Sequence, residues 1–158
     1  MIRGIHHIAI NTANFDRMLA FYTEVLGFER AAPESGWRDA PAVDQIIGLD
    51  GSSSKVQLLK AGNCYLELFA YSKPPARGDN PLRPCDHGYT HFALDVTDID
   101  AEHKRLVAAG MEFVHHEPGV FGPIKGLYGR DPDGNIIEIQ ELSPELLITL
   151  DELKFNGD

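Results

Sequence analysis

The chain has little cysteine: Cys64 and Cys85 are the two thiols in 158 residues. That is too few for a disulfide framework and points to reduced thiols in a reducing compartment. Positive charge is also scarce, with 14 Lys and Arg against 24 Asp and Glu and a net charge of −10. A nucleic-acid groove or a face for anionic membranes needs clustered cations, so the balance argues against both. No apolar run approaches membrane length, and "MIRGIHHIAI" enters a strand-like pattern with no secretory h-region or cleavage site. These absences predict a soluble, cytoplasmic protein.

What is present is an ordinary globular composition, 43% hydrophobic and 24% charged, enough for one domain or two small fused modules. The chain nearly repeats itself. "HIAINTANFDRMLAFYTEVLGFE" from His7 matches "HFALDVTDIDAEHKRLVAAGMEF" from His91: a His, apolar residues, a polar stretch, a helical run, then Gly. In the first copy Asn14 is the expected helix cap, with Phe15, Met18, Leu19, Tyr22, Val25 and Leu26 as the apolar stripe and Gly27 as the stop. In the second Asp98 caps, Ile99, Leu106 and Val107 carry the stripe, and Gly110 stops it. "NCYLELFAY" (Asn63 to Tyr71) likewise corresponds to "GNIIEIQEL" (Gly134 to Leu142), with Glu67 over Glu138. Repetition of a whole supersecondary unit is hard to obtain from composition alone. The Pro-rich stretch Ser72 to Asp86 is the expected boundary, Glu34 to Lys55 a partly irregular excursion, and Ser143 with Pro144 the start of a short helix.

"DPDGNIIEIQ" places a carboxylate, Glu138, inside a short aliphatic strand after a Pro-Asp-Gly-Asn turn. Alone, such a Glu marks the solvent face of a half-buried strand. Three other strands repeat the oddity. His7 opposes Ile8 and Ile10, Glu67 opposes Leu66 and Leu68, and His91 opposes Phe92 and Leu94, as Glu138 opposes Ile137 and Ile139. If the polar faces of two such modules curve around a common space, two imidazoles and two carboxylates converge. That is a donor set for a first-row divalent ion, and Zn, Ni, Co, Mn and Fe(II) all remain possible. A structural zinc site would more usually use Cys. Four protein donors on an octahedral ion leave about two positions for water or substrate, so such a site performs chemistry. The other histidines fit this pattern less well: His6 at the strand edge, His87 before Gly88, His103 on the exposed side of a helix, and His115 and His116 near a loop.

"HHIAI" with "FYTEVLGF", "YLELF", "HFALDVTDIDA" with "LVAAG", and "DPDGNIIEI" together resemble the vicinal oxygen chelate superfamily, from Ile5 to about Leu142. Glyoxalase I, methylmalonyl-CoA epimerase, extradiol dioxygenases, fosfomycin-modifying enzymes and bleomycin-binding proteins belong to that group. The resemblance implies an α+β fold of two tandem βαβββ modules forming a curved mixed sheet around one divalent metal ion. The implied organisation is one glyoxalase-like domain over 1–142, with modules at 1–75 and 86–142 and a helical tail at 143–158. By position the resemblance implies His7, Glu67, His91 and Glu138 as metal ligands, and a homodimer as the assembly.

The reactions of that superfamily share stabilisation of an enolate or oxyanion by the metal. A metal-side carboxylate can then shuttle a proton at carbon beside a carbonyl, with Glu138 the first choice as base and Glu67 the second. An isomerase, epimerase or lyase acting on a small carbonyl substrate is the favoured reading. Tyr128 before Glu138 resembles the extradiol dioxygenase pattern, yet the His which that pattern places shortly before the Tyr is missing. A metal-free antibiotic-binding protein would not need four ligands. For substrate binding the expected groups are Tyr128, Arg130, Trp37 and Phe121, with Arg38, Arg77 and Lys125 as further cations and Pro118 to Gly126 as a lid.

Overall fold

The computed structural model describes residues 2–78, 82–146 and 148–152. The chain divides into two compact units, one of Ile5–Asp79 and one drawn mainly from Asn80–Asp158. The first runs β1 (His7–Asn11), α1 (Phe15–Ala20, continued as a π-helical turn over Phe21–Val25), β2 (Glu29–Arg30), β3 (Ser35–Arg38), α2 (Pro41–Ile47), β4 (Ser53–Ala61) and β5 (Cys64–Lys73). The second runs β6 (His91–Asp95), α3 (Ile99–Ala108), β7 (Glu112–Phe113), β8 (Gly119–Phe121), β9 (Ile124–Arg130) and β10 (Ile136–Leu142).

Both units use one topology. The first sheet is ordered β1-β5-β4-β2 with β3 on β4, and the second β6-β10-β9-β7 with β8 on β9. In each, the first strand lies parallel to the last and the remaining pairs are antiparallel. The extra strand relative to βαβββ is a split edge. β2 meets β4 at Leu59 and Lys60, whereas β3 meets it over Ser53 to Val56. β7 and β8 divide β9 in the same way. The breaks contain Pro33 and Pro118, which lack the N–H that a continuous ladder requires. This is the α+β, glyoxalase-like architecture expected.

α1 and α3 each pack on the aliphatic face of their own sheet. In the first unit Met18, Tyr22, Leu59, Leu66 and Leu68 are buried, and the Asn14 carboxamide accepts from the Arg17 N–H at 3.3 Å. Gly27, at φ +74°, ends the helical run in a conformation that favours glycine. In the second unit Ile99, Leu106, Ile137 and Ile139 form the core, and the Asp98 side chain accepts from the Ala101 N–H at 3.1 Å. The Glu141 carboxylate adds a cap from the sheet, accepting from the Asp98 and Ile99 N–H groups at 3.1 Å each.

Two expectations about α3 are corrected. Val107 is 49% exposed, and His103 is buried, its ring edge-on to Phe113 at 4.7 Å. Ile99, His103 and Leu106 occupy helical positions i, i+4 and i+7, so the imidazole lies on the inward stripe and Val107 beside it. The excursion expected over Glu34 to Lys55 is more ordered than irregular. It holds β3 and α2, with Pro41 at the start of α2 and Gly48 at φ +70° closing it. The helix expected after Ser143 is a turn over its described part, with the Leu146 N–H bonded to the Ser143 carbonyl, followed by a 3₁₀ turn at Leu150–Glu152. Among the described residues no helix is long and apolar enough to cross a membrane.

Candidate functional site

The register of the parallel strands brings each imidazole to a carboxylate. Ala9 pairs with Glu67, and His7, two residues before Ala9, projects from the same face of β1. Its Nε2 stands 3.3 Å from Glu67 Oε2. In the second unit Ala93 pairs with Glu138, and His91 stands two residues before Ala93. The distance from His91 Nε2 to Glu138 Oε2 is again 3.3 Å. The turn before β10 fixes where that strand begins: the buried Asp131 carboxylate accepts from the Asp133 and Asn135 N–H groups at 3.0 and 2.9 Å.

Nitrogen and oxygen donors bound to one ion at about 2.1 Å, at angles between octahedral and tetrahedral, lie about 3.0–3.4 Å apart. Both pairs fall within that window, so each fits as half of a divalent-metal ligand set. Among the described residues no group of three or more His, Cys, Asp or Glu gathers into a site that could hold an ion. The expected ligands stand as two pairs, each within its own unit.

The flanks of the two pairs differ. Tyr128 faces Glu138 across β9 and β10, where the first unit sets Leu58 opposite Glu67. The Tyr128 hydroxyl is 3.4 Å from His91 Nε2, and the two ring centres are 4.9 Å apart. Burial raises the Tyr128 phenol above its ordinary value, and the Glu138 charge adds to the shift. Along β5 the face of Glu67 continues into Phe69 and Tyr71, whose rings form an aromatic wall with Trp37 at centre distances of 5.5–6.0 Å. Tyr71 is likewise raised, by burial first and by Glu67 second.

Trp37 is fixed from behind. Its indole N–H donates to the Ser52 hydroxyl at 2.8 Å, and that hydroxyl donates to the Asp44 carboxylate. The Ser52 hydroxyl is the main cause holding Asp44 below its ordinary carboxyl range. Alternation from Glu67 (i, i+2, i+4) was the signal that could have found Phe69 and Tyr71.

Arg130, two residues beyond Tyr128 on the same face of β9, donates from its guanidinium to the Gly134 carbonyl and braces the turn. Phe121 is 85% exposed on β8. Lys125 is ion-paired with Asp100. A cleft of about 900 Å³ in the second unit is lined by His103, Met111, His115, His116 and Lys125 rather than by His91 or Glu138.

The sequence profile of the Glyoxalase/Bleomycin resistance protein/Dioxygenase superfamily matches residues 4–139. A 2-epi-5-epi-valiolone epimerase from Actinomyces sp is 30% identical over 146 residues, which cover 88% of this chain and 79% of that one. A lactoylglutathione lyase from Agrobacterium tumefaciens superposes with a TM-score of 0.57 at 25% identity, covering 87% of this chain and 92% of that one. A glyoxalase family protein from Bacillus cereus shares the fold with a TM-score of 0.76 at 21% identity, covering 90% and 95%.

Proposed function

Because the chain belongs to the glyoxalase/bleomycin resistance protein/dioxygenase superfamily, we propose that it is a divalent-metal-dependent isomerase, epimerase or lyase acting on a small carbonyl substrate. One observation carries the reading: the same His–Glu pair, at the same 3.3 Å and in the same strand register, occurs once in each module. His7, Glu67, His91 and Glu138 form one ligand set, with one pair from each module. A divalent ion held there supplies Lewis acidity towards substrate oxygens and lowers the pKa of the adjacent C–H.

The remaining work falls to the chain's own groups. Glu138 is the base that takes the proton from the carbon beside the carbonyl and returns it, with Glu67 as the second choice. Tyr128, protonated at neutral pH and within reach of His91, donates its hydroxyl to developing negative charge on substrate oxygen. Trp37, Phe69 and Tyr71 supply an apolar wall for the body of the substrate and keep water from the Glu67 side. The names of the epimerase and lyase relatives are consistent with proton transfer beside a carbonyl. The expected assembly is a homodimer. Each sheet path ends at β1 or β6, and such edges favour pairing with another chain.

A second reading, an Fe(II) extradiol-type dioxygenase, draws on the Tyr128–His91 contact. Glu67 would occupy a position which that chemistry leaves open. Solvent deuterium exchange into a panel of α-hydroxythiol adducts and acyl-CoA esters is the test. Exchange supports the proposal; no exchange, together with O₂ consumption on a catechol with Fe(II), replaces it with the dioxygenase.

A further inference from the structure

Each candidate ligand imidazole is held at its other nitrogen by the residue just before it. His7 Nδ1 lies 2.9 Å from His6 Nδ1, with the two rings perpendicular and 5.2 Å apart. The His6 ring rests in turn on Tyr65 at 5.0 Å. His91 Nδ1 lies 3.0 Å from the Thr90 hydroxyl. Consecutive side chains of a regular strand point to opposite faces and cannot meet in this way. They meet here at the entrances of the strands, since β1 begins at His7 and β6 at His91.

The geometry points to His6 and Thr90 as positioning residues that set the tautomer of His7 and His91. A neutral imidazole carries one N–H. When that proton sits on Nδ1 and is accepted by the preceding residue, the Nε2 lone pair is available to an ion shared with the carboxylate 3.3 Å away; in the metal-free chain an Nε2–H would donate to that carboxylate instead. His6 accepts through the lone pair of its own Nδ1 and carries its proton on Nε2; Thr90 accepts through its hydroxyl oxygen. Two unlike side chains thus perform one task in the two modules. This inference rests on the ligand set proposed above and adds to it the groups that aim the two imidazoles.

The test uses the full chain. Zn²⁺ affinity is measured by competition with a chelator, and ¹⁵N–¹H correlation spectra of the imidazoles are recorded on Zn²⁺-loaded protein. Thr90→Val keeps the branched shape and loses the acceptor; Thr90→Ser keeps the acceptor. Thr90→Val and His6→Leu should each weaken Zn²⁺ binding about tenfold or more, while Thr90→Ser stays within about threefold of the parent. In the Zn²⁺-loaded parent, His7 and His91 should both show an Nδ1–H, and Thr90→Val should shift the His91 Nδ1–H alone. Unchanged Zn²⁺ affinity in Thr90→Val and His6→Leu, or coordination through Nδ1 in the parent, overturns the inference. A parent that binds no Zn²⁺ overturns the ligand set on which the inference rests.

Discussion

The two units share a frame and differ in what surrounds it. Both set an imidazole two residues before the alanine that pairs with a glutamate, and both close to 3.3 Å. Beside Glu138 stands a phenol, Tyr128; beside Glu67 stands Leu58. Two and four residues beyond Glu67 are Phe69 and Tyr71, where the corresponding positions beyond Glu138 are Gln140 and Leu142. In the proposed function the duplicated part supplies the metal ligands, and the unduplicated part divides the labour, with proton transfer and oxyanion stabilisation assigned around Glu138 and apolar binding around Glu67.

The largest expected effect tests that division. Glu138→Gln keeps one coordinating oxygen but removes the base, so turnover should fall about a hundredfold or more. Glu67→Gln should cost turnover less than about tenfold, because Leu58 rather than a phenol stands opposite it. Equal losses in deuterium exchange would erase the asymmetry.

Next in size is the aromatic wall. Phe69→Ala should raise KM about tenfold with kcat little changed, the pattern of lost uniform binding, while Gln140→Ala at the corresponding position leaves KM near the parent value. A fall in kcat with KM constant would move Phe69 from the binding wall to the reacting centre.

A third substitution probes the frame itself. Gly129 sits where β9 meets β7, and a Cβ there would come within 2.5 Å of Met111 Cε and 3.0 Å of the Glu112 carbonyl oxygen. Gly129→Ala should cost about 1–3 kcal/mol of unfolding free energy, as for overpacking, read from denaturant midpoints. Gly62→Ala has open space but a φ of +65°, so its strain should cost about 1 kcal/mol.

The smallest effect is in pH. Tyr71 and Tyr128 are raised above their ordinary 10.0, so the folded chain favours the neutral phenol. Their contribution to stability is complete below pH 10.0 and is lost as pH rises through the raised folded values. An ultraviolet titration should therefore show phenolate absorbance still rising above pH 10.0, and Tyr71→Phe and Tyr128→Phe should each remove part of that late rise. A late rise unchanged in Tyr128→Phe would remove the burial argument for Tyr128 as a donor.

Much of the frame was legible because it rests on short-range patterns. Alternation placed His7, Glu67, His91 and Glu138 opposite aliphatic neighbours, and helical spacing with Asn14, Gly27, Asp98 and Gly110 bounded the helices. Elsewhere a contact outside the alternating and helical patterns decided the outcome. His103 is buried because Phe113, on the next strand, receives its ring, and a polar residue on the inward stripe carries no local sign of such a partner. Arg130 is spent on the Gly134 carbonyl and Phe121 lies on an exposed edge, neither of which composition reveals. The sequence pattern leaves His6 at the strand edge and does not single out Thr90, because strand periodicity assigns neighbouring residues to opposite faces.

The central claim is that the two His–Glu pairs act as one ligand set. Elemental analysis after Zn²⁺ reconstitution, on the parent, His7→Ala and His91→Ala, tests it most directly. The account predicts one equivalent of metal per chain in the parent and loss of that metal in each variant, since an imidazole taken from either module breaks the same site. Two equivalents in the parent, or a full equivalent retained by either variant, would contradict it.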